Sequence, residues 1–374
     1  MINGDNNLIL KTAIVHEWLV SYAGSERCVE SFTNIWQDAD VFALVDFLND
    51  EQRNIILKGK KAKTTFIQQF PLASKKHRYY LPLFPSAIES LNLSDYKLII
   101  SSAHAVSKGV KTKKNQLHIC YCHSPMRYAW DQSEHYLTGI KGLFAKSFMN
   151  YLRNWDLKSA ENVNFFIANS HHIAEKIRRI YKRDSAVIYP PVDVDKFDML
   201  DKKDEFYLIA SRFVPYKKVD LVVEAFNQMT DKKLVVIGSG PDKEKIKSIA
   251  GSNIEFLPHQ PTEKLKEFMM KAKAFVFAAE EDFGIVVVEA MACGTPVIAL
   301  NKGGTAESVI NGKTGILFDE QQPESIKNAI KDFEKNIDYF DVQFIRKHAE
   351  KFNRSNYEKQ IEEFVKDKLQ NFKF

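Results

Sequence analysis

The sequence predicts an α/β protein built from two Rossmann-like, doubly wound parallel-sheet domains, and three observations carry that prediction. Short apolar runs that read as buried strands alternate with helical patterns along most of the chain. The alternation is interrupted at Pro190-Pro191-Val192-Asp193, where two prolines stiffen an extended connector and oppose helix on either side, and then it restarts. With 374 residues, 45% of them hydrophobic and 27% charged, the chain has the length for two cores and the composition of an ordinary soluble protein. We therefore expect a first domain over residues 1–189, a second over 190–354, and a last segment, 355–374, with a helix from Tyr357 to Leu369. A hinged pair of such domains leaves an interdomain cleft, the usual place for a ligand.

Taken in order, Thr12 to His16 (TAIVH) is the first strand signal, and Glu17 to Ala23 form a loop. Gly24-Ser25-Glu26-Arg27 then open a helix running to about Trp36. A small residue such as Gly24 at a helix start lets a phosphate or sugar approach the backbone, although a plain turn has the same pattern. Val41 to Val45, Lys97 to Ser101 and Leu117 to Cys122 are further strands, the last ending in the polar turn His123-Ser124-Pro125-Met126-Arg127-Tyr128. Gly139 to Leu157 reads as an amphipathic helix, apolar at Leu143, Phe148, Tyr151, Leu152 and Trp155 and basic at Lys141, Lys146 and Arg153. Core packing is favoured for it over lying on a membrane. A strand (Asn164 to Ala168), a helix (Ser170 to Tyr181) and a strand (Ala186 to Tyr189) complete the first half.

In the second half Phe206 to Ser211 is a strand, and the loop after it holds Arg212, Lys217 and Lys218 before a helix from Val219 to Met229. Cations just past a strand's carboxyl end are placed to neutralise a diphosphate. Leu234 to Ile237 ends in Gly238-Ser239-Gly240-Pro241, and Ile254 to Leu257 ends in Pro258-His259. The most informative stretch is Phe275 to Gly304: a buried strand to Ala279, the turn Glu280-Glu281-Asp282-Phe283-Gly284, an apolar helix from Ile285 to Cys293, and a second strand from Val297 to Leu300. Ligands sit beside such turns in open α/β sheets. Glu281 and Glu289, two turns apart on roughly one face, are good hydroxyl acceptors, and the N–H groups of residues 282–285 favour anions. That combination suits a ligand with sugars and phosphates; an acidic helix start with one half-buried glutamate is the plainer alternative.

Other classes are disfavoured. The start, MINGDNNLILKTAIVHEWL, has neither a basic n-region nor a long apolar h-region, and no apolar run approaches the ~20 residues of a membrane span, so we expect a cytoplasmic protein. The four cysteines, Cys28, Cys120, Cys122 and Cys293, are expected to be reduced and buried. His118, Cys120, Cys122 and His123 gather on one strand, but no second cysteine pair at finger-like spacing accompanies them, and a packed strand is expected rather than a metal site. Dense basic clusters, Lys58 to Lys63 and Lys75 to Arg78, the second followed by Tyr79, Tyr80 and Phe84, fit an anionic membrane surface; solvated lysines explain them as simply. No nucleic-acid motif accompanies them, and no nucleic-acid partner is expected.

Several segments together resemble a known family. SRFVPYKKVDLVVEAF, VIGSGPD, EDFGIVVVEAMACGTPVIA and GKTGILF resemble the retaining glycosyltransferases of family four, which have the two-domain GT-B fold and use nucleotide-sugar donors. In the first half AIVHEWL, RYYLPLFPSAIESLNLSDYKLIISSAHAVSKGV, YCHSPMRYAWD, ANSHHIAEKIRRIY and VIYPPVD look like the WbaZ-like bacterial mannosyltransferases of O-antigen and capsule assembly, which usually take GDP-mannose. The resemblance implies a metal-independent enzyme without cofactor that moves a hexose to a lipid-linked or oligosaccharide acceptor, and a final helix, Tyr357 to Leu369, that crosses back to the first domain; the basic aromatic segment would make it a peripheral enzyme at the inner face of the membrane. It implies that Glu281 and the N–H groups of Phe283, Gly284 and Ile285 hold the donor's sugar and phosphate, and that Glu289 binds the ribose. Arg212 and Lys217 stabilise the departing diphosphate, and His123 faces the reacting centre. Gly24 lets its loop approach the donor, and Gly238 and His259 border the nucleotide. Three departures are visible: Ala23-Gly24 where two glycines are common, Lys218 where many relatives have Gly, and Pro258-His259 in place of a Gly-containing turn. The open alternatives are another UDP- or GDP-hexose donor, a different sugar-nucleotide chemistry such as an epimerase or hydrolase, and a non-catalytic nucleotide-sugar-binding protein.

Overall fold

A computed structural model describes residues 10–130 and 143–374 of the chain. They form two compact units, Met1–Tyr189 with Glu358–Phe374, and Pro190–Tyr357. The first holds a seven-stranded sheet: β1 (Thr12–His16), β2 (Asp40–Ala43), β3 (Lys63–Thr64), β4 (Leu98–Ala103), β5 (Leu117–Cys122), β6 (Phe165–Ala168) and β7 (Ser185–Val187). The order is β3-β2-β1-β4-β5-β6-β7, and each neighbouring pair is parallel. Every residue of β1, β4 and β5 is buried, the condition under which strands read as continuous apolar runs. The strand order reverses between β1 and β4, so the loops after these two strands part there, at the carboxyl edge where doubly wound sheets bind ligands.

The helix Leu143–Glu161 covers one face of this sheet, with Met149 and Leu152 in the core beside Phe84, Ile88 and Ala129. Core packing is thus its role, as its apolar face suggests; the expectations at Gly139 and Lys141 fall outside the described residues. The helix Arg354–Asn371 runs across the division of the units. Its later part is tied to the first unit, where Asn34 Nδ2 donates to Glu358 Oε1 at 2.7 Å and Lys368 lies over the Phe165 ring.

The second unit holds β8 (Phe206–Ala210), β9 (Lys233–Ile237), β10 (Ile254–Leu257), β11 (Ala274–Phe277), β12 (Val297–Leu300) and β13 (Gly315–Phe318) in the parallel order β10-β9-β8-β11-β12-β13. The strand order reverses here between β8 and β11. GKTGILF, read from sequence as a turn, is in part the edge strand β13. Gly315 pairs with Val297, and a Cβ on it would lie 1.9 Å from the Val297 carbonyl oxygen, so only glycine lets the edge strand dock.

Two chain segments cross at the start of this unit and are clamped together. Val192 bridges to Asn353, and Arg354 grips Asp193 with Nε to Oδ1 at 2.5 Å and a second nitrogen to Oδ2 at 3.0 Å. Burial alone would raise the Asp193 pKa, but hydrogen bonding and charge from Arg354, aided by Lys196, outweigh it and hold the carboxyl at about 2 against an ordinary 3.8. A depressed folded-state pKa gives stability that is present above the unfolded value and lost as pH falls through the folded one. Asp193→Asn should therefore cost about 2 kcal/mol at neutral pH, and the difference from wild type should shrink as pH is lowered from about 4 and be lost as it falls through about 2. Urea unfolding at several pH values measures this; a difference independent of pH would contradict it.

Candidate functional site

In the second unit the predicted residues meet at the strand-order reversal. Lys217 ends the loop after β8, Glu281 lies in the turn after β11, and the Lys217 ammonium pairs with Glu281 Oε1. Their side chains are only 20% and 17% exposed, so the pair is less screened than a surface salt bridge. The Lys217 ammonium also stands 5.7 Å from the Phe277 ring centre, at the end of β11. Arg212, in the same loop, is exposed, and the described residues show no hydrogen-bond partner for its guanidinium. Lys218 adopts φ +53°, the left-handed conformation that is strained for a residue with a side chain.

The turn carrying Glu281 is stitched to the turn after β12. Glu281 bridges Gly303, and Gly304 N–H donates to the Glu281 carbonyl at 2.7 Å. Helix Ile285–Ala292 starts immediately afterwards, with Gly284 at its N-cap in the left-handed region (φ +85°). A Cβ on Gly284 would sit 2.6 Å from Thr305 Oγ1, so glycine is required by both backbone and neighbour. Among the described residues no side chain caps this helix start, which leaves its N-terminal dipole directed at the turn. Glu281 precedes the helix rather than lying on it, so it shares no helical face with Glu289; what brings it to the site is the stitched turn. Glu289 is half-buried on the helix, and Phe283 is a core residue whose ring packs on Phe352 at 5.6 Å. The helix is anchored from behind by Lys203, which donates to the Cys293 carbonyl at 2.9 Å and Thr295 Oγ1 at 3.1 Å. Burial lowers the Lys203 pKa to about 8 and pushes the Cys293 thiol up to about 12.

Gly238 has a packing reason as well. Its φ is +149°, and a Cβ there would lie 1.9 Å from the Ser211 carbonyl oxygen. The bond from Phe213 N–H to the Ser239 carbonyl (2.9 Å) fastens the Arg212 loop onto this turn. His259 is exposed, two residues past β10.

The first unit presents its own constellation at its strand-order reversal. His123, at the end of β5 and 8% exposed, places Nε2 2.8 Å from Ser102 Oγ at the end of β4. Ser102 Oγ also lies 3.1 Å from His16 Nδ1 at the end of β1, and His16 Nε2 lies 3.4 Å from Glu26 Oε1. Glu26 reaches back from the first helix, Gly24–Ile35, to the Ala23 N–H at 3.2 Å. That is one half of a capping box; Ala23 has no side-chain oxygen for the other. His104 sits between the His16 and His123 rings, each 6.3 Å away, and burial, then Arg127, His16 and Arg78, pushes its pKa well below the ordinary value. Fully buried Glu17 accepts the consecutive N–H groups of His104, Ala105, Val106 and Ser107 at 2.8–3.2 Å. Sequence reading passed over His16, Glu17, Glu26, Ser102 and His104; the available signal was polar residues, His16-Glu17 and Ser101-Ser102, ending otherwise apolar strands.

The strand cluster His118, Cys120, Cys122 is packed: His118 Nε2 bonds Ser101 Oγ at 2.8 Å, and the two cysteines lie in the core with Phe166 and Ile173. The basic clusters divide. Lys60 donates to the Gln37 and Ala39 carbonyls, Lys58 to the Ile55 carbonyl, and Lys63 to Asp40 and the Tyr96 hydroxyl, so the first cluster is used within the fold. In the second, His77 and Phe84 are buried, and burial, with Arg78, lowers the His77 pKa to about 4. Leu72 (62% exposed), Tyr79 (75%), Lys75, Lys76 and Arg78 remain outward.

Comparison with known proteins agrees with the two-domain α/β fold. Residues 24–196 match the model of Glycosyltransferase Family 4, and residues 194–359 match that of Glycosyl transferases group 1. An uncharacterized glycosyltransferase of Methanocaldococcus jannaschii is 33% identical over 175 residues, 45% of this chain and 49% of that protein. A GDP-mannose-dependent alpha-(1-6)-phosphatidylinositol monomannoside mannosyltransferase of Mycolicibacterium smegmatis is 30% identical over 172 residues, 38% of this chain and 45% of that protein. These matches span about half the length of the curated relatives. Among solved structures, Anabaena HepE in complex with UDP superposes with TM-score 0.73 at 17% identity, covering 96% of this chain and 100% of that one. The sucrose-phosphate synthase of Thermosynechococcus elongatus gives 0.73 at 19%, with the same coverage; at these identities the likeness concerns the fold.

Proposed function

We propose that the chain is a GT-B glycosyltransferase of family four that moves a hexose from a nucleotide sugar to a lipid-linked or oligosaccharide acceptor with retention of configuration. The observation that carries the reading is the Lys217–Glu281 pair beside the uncapped start of helix Ile285–Ala292. It combines a cation for a diphosphate, a carboxylate for sugar hydroxyls, and backbone donors for anionic oxygens. In this reading Lys217 and Arg212 stabilise charge on the departing diphosphate without a metal or other cofactor, Glu289 holds the ribose, and Gly238 and His259 border the base. His123 faces the sugar and Gly24 admits it. Positioning and leaving-group stabilisation then supply most of the rate enhancement.

Mannose from GDP-mannose is the donor we put first, supported by the first-half motifs and by the mycobacterial relative whose name specifies that donor. A UDP-hexose is the second reading, kept because Pro258-His259 departs from the Gly-containing turn that borders the base. Thermal stabilisation by GDP, UDP, ADP and their sugars, with Glu289→Ala alongside, tests both. A shift with GDP and GDP-mannose alone, lost in the variant, is expected. A UDP-selective shift overturns mannose, and no shift with any nucleotide overturns the nucleotide-sugar reading. Donor turnover without acceptor at a rate matching turnover with it would favour an epimerase or hydrolase.

We place the work at the cytoplasmic face of a membrane in cell-surface polysaccharide assembly, such as O-antigen or capsule. No described helix is long and apolar enough to cross a membrane. The support is the outward set Leu72, Lys75, Lys76, Arg78 and Tyr79, apolar and basic together. Co-sedimentation with phosphatidylglycerol-containing vesicles should fall at high salt and in the Leu72→Ser, Tyr79→Ser double variant. Equal binding to neutral vesicles, or none to either, would contradict it.

A further inference from the structure

We propose that Ser102, His16 and Glu26 form a buried positioning chain that determines which nitrogen of His123 carries its proton, and so links His123 to the loop that opens the first helix. The proposal rests on the reading that His123 faces the transferred sugar. Its geometry stands independently: Glu26 Oε1 to His16 Nε2 3.4 Å, His16 Nδ1 to Ser102 Oγ 3.1 Å, and Ser102 Oγ to His123 Nε2 2.8 Å. Glu26, His16 and Ser102 are 3%, 0% and 0% exposed, so water does not compete for these bonds.

The direction follows from what each group can donate. An ionised carboxylate only accepts, so Glu26 Oε1 takes the proton on His16 Nε2. A neutral His16 then has a lone pair on Nδ1, which accepts the single hydroxyl proton of Ser102. Ser102 Oγ in turn accepts from His123 Nε2–H, and His123 keeps its lone pair on Nδ1. Reversing the chain would put protons on both nitrogens of His16, making it an imidazolium. His104, whose ring lies 6.3 Å from each of the other two, is kept neutral by burial and by nearby Arg127 and Arg78, so it adds no charge to bias the chain. A ring locked as Nε2–H carries its lone pair on Nδ1.

Glu26 also joins the chain to the neighbouring loop. Its other oxygen accepts from the Ala23 N–H at 3.2 Å and the Ser25 hydroxyl at 3.0 Å, on either side of Gly24. A ligand that draws this loop towards itself acts on the carboxylate that orients His16, and through Ser102 on His123. The residues are positioning residues: none of them need touch the substrate.

The test uses the full-length protein with ¹⁵N-labelled histidine. His123, assigned with a His123→Gln variant, should show the Nε2–H tautomer in wild type. Ser102→Ala should convert it to a tautomer mixture and lower kcat by about 10–100-fold, with the donor dissociation constant within about twofold. Ser102→Thr, which restores a hydroxyl, should recover both. Glu26→Gln, whose amide can donate to His16, should allow the reversed chain and give the same mixture; it serves if Ser102→Ala fails to fold. A wild-type His123 in the Nδ1–H form, or an unchanged tautomer in the variants, overturns the proposal. Absence of turnover with every donor would instead sink the enzymatic reading, while the tautomer measurement still decides the chain.

Discussion

Replacing Lys217 by Met should lower the transfer rate by about 10²–10³-fold while the donor dissociation constant rises much less. As the glycosidic bond to the diphosphate lengthens, negative charge grows on the bridging and terminal oxygens of the leaving group. A cation already in place interacts more strongly with that developing charge than with the ground-state donor, which is the condition for acting on kcat. Lys217 meets the condition structurally. It is four-fifths buried, paired with Glu281 and backed by the end of β11, so little reorganisation accompanies the reaction. Arg212 is exposed and should matter less, nearer tenfold, on the same argument that solvent screens it. Glu281→Gln should also be slow. The Lys217→Met, Glu281→Gln double variant should be hardly slower than the worse single one, because the two residues place each other. Single-turnover kinetics with saturating donor measure all three. A Lys217→Met rate within fivefold of wild type would remove the residue from the reaction.

The fold was legible because both sheets are parallel and their central strands are buried on both faces. Such strands must be continuously apolar, and Thr12–His16, Leu117–Cys122 and Val297–Leu300 form as their apolar runs indicate. The edge strand Gly315–Phe318 was missed because glycine at its start reads as a turn, whereas here it serves close approach to β12. In the second unit the site lies largely within one contiguous motif, so Glu281, Gly284 and Glu289 were visible together, and Lys217 followed from its place after a strand. The first unit's network was not visible, since it joins residues 16, 26, 102 and 123 from separate elements. Each of them alone looks like an ordinary polar residue at a strand or helix end. Only sheet register, with His16 beside Ser102 on β1 and β4, brings them into contact. The same limit applied to the lysines of residues 58–63, whose partners are carbonyls and side chains that no local pattern identifies.

Glu17→Gln should be the most destabilising conservative change in the first unit, by about 3–5 kcal/mol, with a melting temperature lower by roughly 10 °C. Four successive backbone N–H groups, of residues 104–107, converge on its carboxylate. Such a nest of donors is ordinarily a site for an external anion. Here the end of β1 supplies the anion, and the loop after β4 is folded around it. An amide of the same shape keeps one accepting oxygen but turns an NH₂ group towards N–H donors. Some of those donors then lose a partner where water cannot replace it, at about 1–3 kcal/mol each. The consequence for function is indirect but specific, because the loop carries His104 against the Trp18 and His123 rings. Loosening it should lower transfer while nucleotide binding by the second unit, whose residues are untouched, persists. Calorimetry of the variant with and without nucleotide separates these effects. A melting temperature within about 2 °C of wild type would mean that the loop holds its conformation without the carboxylate.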